Sequence, residues 1–186
     1  MNPLPQETIF NRLRLIAEQQ KLSFLIVGGN AVNAHGYQRT TFDIDVAIPE
    51  TERNTWQSEL EAIGYRIYFE TESFLRFKAK DGDFFFPVDL MMLNTDTYSK
   101  LEKSSEMRSF GNIDLPVPSP LHLIAMKLHA LRQPARALEG KDLPDIFGLI
   151  RTRGIDVQSE EFQLILEKYG NEETRTAIHQ FFRKDP

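Results

Sequence analysis

Apolar residues at Ile9, Leu13, Ile16 and Ala17 recur at helical spacing and predict a helix over 5–20. The apolar run Phe24-Leu25-Ile26-Val27 reads as a buried strand that leads straight into Gly28-Gly29. A short helix is expected after the glycines, stopping near His35-Gly36 with Gly36 just past its end. The next strand covers 43–48 and ends at Pro49. Thr51 is placed to cap a helix over 52–63, closed by Gly64. Two β-rich runs follow, 65–69 and 74–80, and Asp81-Gly82-Asp83 is a hairpin-turn signal. The strand from Phe84 to Met92, a helix over 95–105 and a β segment over 108–117 complete this stretch.

Pro116-Val117-Pro118 marks a boundary. Ser119-Pro120 then opens a helix, with Ser at the cap and Pro in the first turn. The rest is helical in pattern, over 120–132, 141–153, 159–169 and 172–183. The predicted class is α+β: a mixed β-sheet flanked by helices over 1–118, with a helical bundle over 119–186 packed on it.

Composition narrows the classes. The chain has 186 residues, 41% of them hydrophobic and 26% charged, as in an ordinary globular protein. With no cysteine, disulfide scaffolds, thiolate zinc sites and cysteine nucleophiles are excluded, and a reducing cytoplasmic setting is suited. No signal-peptide pattern is read at the N-terminus, and no apolar run approaches the roughly 20 residues of a membrane span. The net charge of −5 argues against non-specific nucleic-acid binding in bulk. The acidity sits in residues 1–118, where 12 Lys and Arg face 17 Asp and Glu; residues 119–186 hold 10 of each.

The candidate chemistry lies on the second strand. Asp43 and Asp45 are two residues apart, so they share a strand face with Cα atoms about 6–7 Å apart. Two carboxylates on one face are costly unless a cation sits between them. Oxygen-only ligands favour Mg²⁺ or Mn²⁺. Gly28 and Gly29 allow a phosphate to approach the backbone at a helix start. A third acid would complete a two-metal clamp, and Asp89, isolated in an apolar strand, is the best candidate. Its bland alternative is a buried acid paired with Arg39, Arg76 or Lys78. Asp83 is weaker, because turn chemistry explains it. Arg39 divides between holding a triphosphate and organising the aspartates; Thr40 and His35 read as structural, and Phe84-Phe85-Phe86 as sheet core.

The string from Gly28 through Ala31-Val32, His35-Gly36, Arg39 and Thr41 to Asp43-Ile44-Asp45-Val46 resembles the signature of the nucleotidyltransferase superfamily, with its polymerase-β-like fold. Within it, the chain is most similar to the AbiEii-type toxin-like branch. The resemblance implies that Gly28 and Gly29 hold a triphosphate, and that Asp43, Asp45 and Asp89 bind two Mg²⁺ and are catalytic. It extends to Lys127 and to Lys141-Asp142-Leu143-Pro144-Asp145, which match helical motifs facing the nucleotide in that branch. Lys127 lies beside the apolar stripe Leu121, Ile124, Ala125, Leu128 and Leu131, where its stem can be buried and its charge turned to a phosphate. Asp142 and Asp145 share a helix face, and Pro144 is tolerated if that helix starts near Asp142.

The implied enzyme moves an NMP from an NTP to an acceptor hydroxyl, with the amides of Gly28, Gly29 and Asn30 cradling the β- and γ-phosphates. A tRNA end, a protein hydroxyl and an aminoglycoside or lincosamide hydroxyl are all compatible acceptors. From the resemblance alone, the leading expectation is the toxin of a toxin–antitoxin pair, with an antitoxin as partner. The alternatives are an antibiotic nucleotidyltransferase and a non-catalytic nucleotide-binding or partner module of the same fold.

Overall fold

The computed structural model of the chain describes residues 6–79, 86–133 and 140–183. The expected turn at Asp81-Gly82-Asp83 and the residues Phe84 and Phe85 lie outside the described residues. The chain forms two compact units, one of residues 1–34 and 39–118, the other of residues 35–38 and 119–186.

The first unit runs α1 (Gln6–Gln20), β1 (Leu25–Ile26), α2 (Gly28–Ala34), β2 (Ile44–Pro49), a 3₁₀ turn (Glu50–Glu52), α3 (Arg53–Ala62), β3 (Tyr65–Glu70), β4 (Phe74–Ala79), β5 (Val88–Leu93), α4 (Thr95–Lys103), β6 (Glu106–Phe110) and β7 (Ile113–Val117). Five strands form one mixed sheet in the order β1-β2-β5-β4-β3, and β6 pairs with β7 in a separate hairpin. β2 and β5 are parallel, while β1, β4 and β3 join antiparallel. A parallel pair needs a long crossover, here the whole of α3, β3 and β4, so β2 and β5 are brought side by side only by the completed sheet.

Side-chain alternation sorts the two sheet faces. Leu75, Phe77 and Ala79 of β4, Val88 and Leu90 of β5, and Ile44, Val46 and Ile48 of β2 are buried. Between them, Asp45, Asp89, Arg76 and Lys78 fall on the opposite face, as a period of two requires. α1 buries the stripe read from its spacing, Ile9, Leu13, Ile16 and Ala17. α3 buries Trp56 and Leu60, and the Trp56 indole donates to the Ser23 carbonyl at 3.2 Å and meets Phe24 edge-on.

Two local expectations differ. α3 begins after a 3₁₀ turn and has no side-chain cap, so Thr51 does not serve as one. Glu52, the residue at the cap position, instead accepts the Ser23 amide at 2.7 Å, which ties the entry of β1 to α3. The β segment over 108–117 is a hairpin that turns at Gly111, whose φ of +66° is the left-handed value glycine supplies without strain.

The second unit holds α5 (Pro120–Ala130), α6 (Asp142–Arg153), α7 (Glu160–Tyr169) and α8 (Glu172–Arg183). α5 is capped as expected: the Ser119 hydroxyl accepts the His122 amide and Pro120 occupies the first turn. α6 starts at Asp142, with Pro144 in its first turn. Gly148 lets the Tyr37 ring lie against α6, because a Cβ there would fall 2.2 Å from the ring. Among the described residues no helix is long and apolar enough to cross a membrane.

Trp56 joins helix packing to the β1 entry. Trp56→Ala is expected to cost about 3–5 kcal/mol, read as a lower urea midpoint with an unchanged denaturant slope. A loss below about 1 kcal/mol would show that the pocket around Trp56 is not close-packed.

Candidate active site

Asp45 and Asp89 are direct partners in the parallel β2–β5 register. Asp43 precedes β2 in a bend held from both sides. The Asn30 side chain donates to the Asp43 carbonyl at 2.8 Å, and the Thr41 hydroxyl donates to the Asp43 carboxylate at 2.9 Å. Each of the three aspartates thereby offers a carboxylate oxygen, and these oxygens lie within 4.8 Å of one another.

At that separation two like charges repel by something on the order of 3 kcal/mol in a half-exposed protein setting. Arg76 offsets one charge. It is the register partner of Asp89 on β4, and its Nε lies 3.2 Å from the Asp89 carboxylate. The three carboxylates form a small patch of oxygen ligands. That donor set fits a hard divalent cation such as Mg²⁺ or Mn²⁺.

The glycine turn is built against this patch. Gly28 has φ +60°, and a Cβ there would lie 1.8 Å from the Asp45 carboxylate oxygen. A Cβ on Gly29 would meet the Arg39 guanidinium at 2.7 Å and the Thr41 hydroxyl at 2.8 Å. The two glycines therefore let one carboxylate and one guanidinium rest on bare backbone. Asn33 fixes the loop that carries Arg39 through two bonds, accepting the Arg39 amide at 2.8 Å and donating to its carbonyl at 2.9 Å. His35 is buried and belongs with the second unit.

β3 adds residues that the sequence reading did not single out. Its pairing with β4 shifts between Ile67 and Phe69, so Tyr68 is the extra residue of a β-bulge. Ile67 pairs with the buried Phe77 and Phe69 with Arg76, so Tyr68 and Phe69 both fall on the Arg76 face. Arg76 lies over the Phe69 ring and Lys78 over the Tyr68 ring, each 5.4 Å from the centroid. Both rings remain about half exposed, at 48% and 47%. Partial burial, then the nearby charges of Asp89 and Asp43, push the Tyr68 hydroxyl up from its ordinary pKa; Arg76, within hydrogen-bonding reach, opposes them. The adjacent aromatics in Tyr65-Arg66-Ile67-Tyr68-Phe69-Glu70 break the one-in, one-out pattern, the signal that could have found the bulge.

The second group of expected residues assembles in the second unit. Lys127 is buried, with its Nζ 3.1 Å from Asp142 and 2.6 Å from Asp145, both of which have no exposed surface. Asp142 and Asp145 occupy the first turn of α6, where the helix dipole favours negative charge. Lys141 precedes that turn, and its carbonyl accepts the Asp145 amide at 3.1 Å. The Lys127 ammonium is thus held inside its own unit by two carboxylates.

This sheet with three clustered acids defines a nucleotidyltransferase fold, and solved structures agree. The antibiotic-resistance factor ANT(2")-Ia, in complex with adenylyl-2"-tobramycin, superposes with a TM-score of 0.67 at 16% identity over 88% of this chain and 96% of that one. A nucleotidyltransferase-like antigen from Paracoccidioides brasiliensis gives 0.56 at 18% identity over 87% and 85%. The lincosamide adenylyltransferase LnuA, lincomycin-bound, gives 0.51 at 18% over 80% and 98%. No curated protein matches the chain. The family described as nucleotidyl transferase AbiEii toxin of a type IV toxin–antitoxin system matches residues 13–185, so the chain belongs to that family and is a nucleotidyltransferase.

Two substitutions test the packing of these clusters. Gly28→Ala drives a methyl into the Asp45 carboxylate, whereas Gly154→Ala has the same left-handed backbone (φ +59°) but open space around it. Both variants bear the roughly 1–2 kcal/mol backbone cost in thermal unfolding, and only Gly28→Ala is expected to weaken Mn²⁺ binding as well. Lys127→Met strands two buried carboxylates and is expected to cost about 3–5 kcal/mol in denaturant titration; an unchanged midpoint would mean the two acids do not depend on the ammonium.

Proposed function

We propose that this chain transfers an NMP from an NTP to an acceptor hydroxyl, acting as the toxin of a toxin–antitoxin pair. The observation that carries the reading is the set of three carboxylate oxygens within 4.8 Å of one another. Asp43, Asp45 and Asp89 would hold two Mg²⁺, with Mn²⁺ an acceptable substitute. Bound there, the ions supply charge neutralisation of the triphosphate and activation of the attacking oxygen.

The remaining roles belong to the chain. The amides of Gly28, Gly29 and Asn30 line the turn against Asp45, where they cradle the β- and γ-phosphates. Arg39, laid on Gly29, adds positive charge beside that turn. Asp89 accepts the proton of the acceptor hydroxyl as its oxygen attacks the α-phosphorus. The bond from the α-phosphorus to the bridging oxygen then breaks, and pyrophosphate leaves. Arg76 pairs with Asp89 and orients it for that task. In the second unit, Lys127, Lys141, Asp142 and Asp145 carry the segment proposed to contribute to nucleotide binding; the buried ion pairs join α5 to α6, and Lys141 at the start of α6 is partly exposed.

A tRNA end or a protein hydroxyl is the preferred acceptor, in the cytoplasm where NTPs are abundant. Arg76 and Lys78 flank the acids on the β4 side, which suits an anionic acceptor. The second reading is an antibiotic nucleotidyltransferase, favoured by the likeness in fold to ANT(2")-Ia and LnuA. A polycationic aminoglycoside would meet those two side chains unfavourably.

The test incubates the purified chain with each α-labelled NTP and Mg²⁺, offering total tRNA, lysate protein and aminoglycosides and lincosamides as acceptors. Asp45→Asn is expected to lower transfer by about 10²-fold or more while leaving the thermal midpoint close to wild type. Full transfer by Asp45→Asn would contradict the assignment. Label on the antibiotics alone would select the second reading.

A further inference from the structure

The bulge on β3 puts Tyr68 on the same sheet face as Arg76, the ion-pair partner of Asp89. β3 is the outer strand of the sheet, and Tyr68 is half exposed on it. Without the bulge, Phe69 would turn to the buried face and only one ring would stand beside Arg76. With it, Tyr68 and Phe69 share the face of Arg76, whose Nε is 3.2 Å from Asp89. The guanidinium that pairs with Asp89 thus stands on the same face as the phenol, over the neighbouring Phe69 ring. Lys78 over the Tyr68 ring steadies the side chain from the other side.

From this placement we infer that Tyr68 is an acceptor in its own right: the chain nucleotidylates its own Tyr68 hydroxyl. The inference rests on the nucleotidyl-transfer reading above and names one acceptor for it. In the step, the Tyr68 oxygen bonds to the α-phosphorus of a bound NTP. The bond to the bridging oxygen breaks, pyrophosphate leaves with the β- and γ-phosphates, and the phenolic proton passes to Asp89 and then to solvent. Nothing is oxidised or reduced, and the co-reactant is the NTP itself. The product is a tyrosyl phosphodiester, whose single negative charge lies between Arg76 and Lys78.

The test uses the full chain with each NTP in turn and Mg²⁺, no acceptor added, read by intact mass and peptide mapping. The expected result is a gain of one nucleotidyl group on the peptide carrying Tyr68. Tyr68→Phe and Asp45→Asn lose the gain, Tyr169→Phe keeps it, and the labelling rate per molecule does not change with protein concentration. A group mapped to any other residue overturns the inference. So does an unmodified chain that still transfers label to tRNA, protein or antibiotic, an outcome that leaves the enzyme reading standing. An unmodified chain that also transfers nothing in the acceptor panel overturns both.

Discussion

Three carboxylates pressed together, two on neighbouring strands and one in the bend before β2, are the constraint around which the first unit is built. Their mutual repulsion is on the order of several kcal/mol, a large fraction of what holds a domain of this size together. It is borne by covalent and backbone rigidity rather than by the acids. The parallel pairing of β2 and β5 sets Asp45 opposite Asp89, and Asn30 and Thr41 fix Asp43 at the strand's edge. Behind them stands an apolar layer of Ile44, Val46, Val88, Leu90, Leu75 and Phe77, all without exposed surface. Each such side chain contributes about 1.5–3 kcal/mol on burial, enough in sum to hold a locally unfavourable cluster in place.

The neighbouring residues make sense against that repulsion. Gly28 is bare because the Asp45 carboxylate occupies the space of a side chain. Arg76 faces Asp89 where alternation on β4 would otherwise give any polar residue. The bulge at Tyr68 then crowds two rings and two cations along the same face. A basic and aromatic border thus lies beside the acidic centre and offsets part of its charge. The second unit solves a related problem differently: its two buried acids are closed by Lys127 within 3.1 Å. The family match at residues 13–185 spans both units.

Much of this was legible in the sequence where the signal is local. The Asp43/Asp45 pair stood out by its spacing, although Asp43 lies in a bend before β2 and is placed by Asn30 and Thr41 rather than by strand period, and Gly28-Gly29 announces the turn before them. Asp89 stood out as a charge in an apolar strand, and Ser119-Pro120 marked the start of α5. Less legible was everything that depends on pairing across a crossover. That Asp89 would face Asp45 in register follows only once α3, β3 and β4 have been folded between them. The choice of Arg76 among three possible partners needed the β4–β5 register. The bulge needed the β3–β4 register, in which a single extra residue carries Phe69 to the other face. Lys127 read as bordering its stripe, yet it is buried, because two acids on α6, 15 and 18 positions later, neutralise it. Thr51 failed as a cap because the chain tightens into a 3₁₀ turn and gives the cap position to Glu52.

The central claim is that Asp43, Asp45 and Asp89 form one divalent-cation site at the glycine turn. Mn²⁺ titration followed by electron paramagnetic resonance, with and without a non-hydrolysable NTP, tests it most directly. The account predicts weak binding to the chain alone, much tighter binding with the nucleotide present, and loss of both in Asp43→Asn and Asp89→Asn. Nucleotide-enhanced Mn²⁺ binding that persists undiminished in both variants would contradict it.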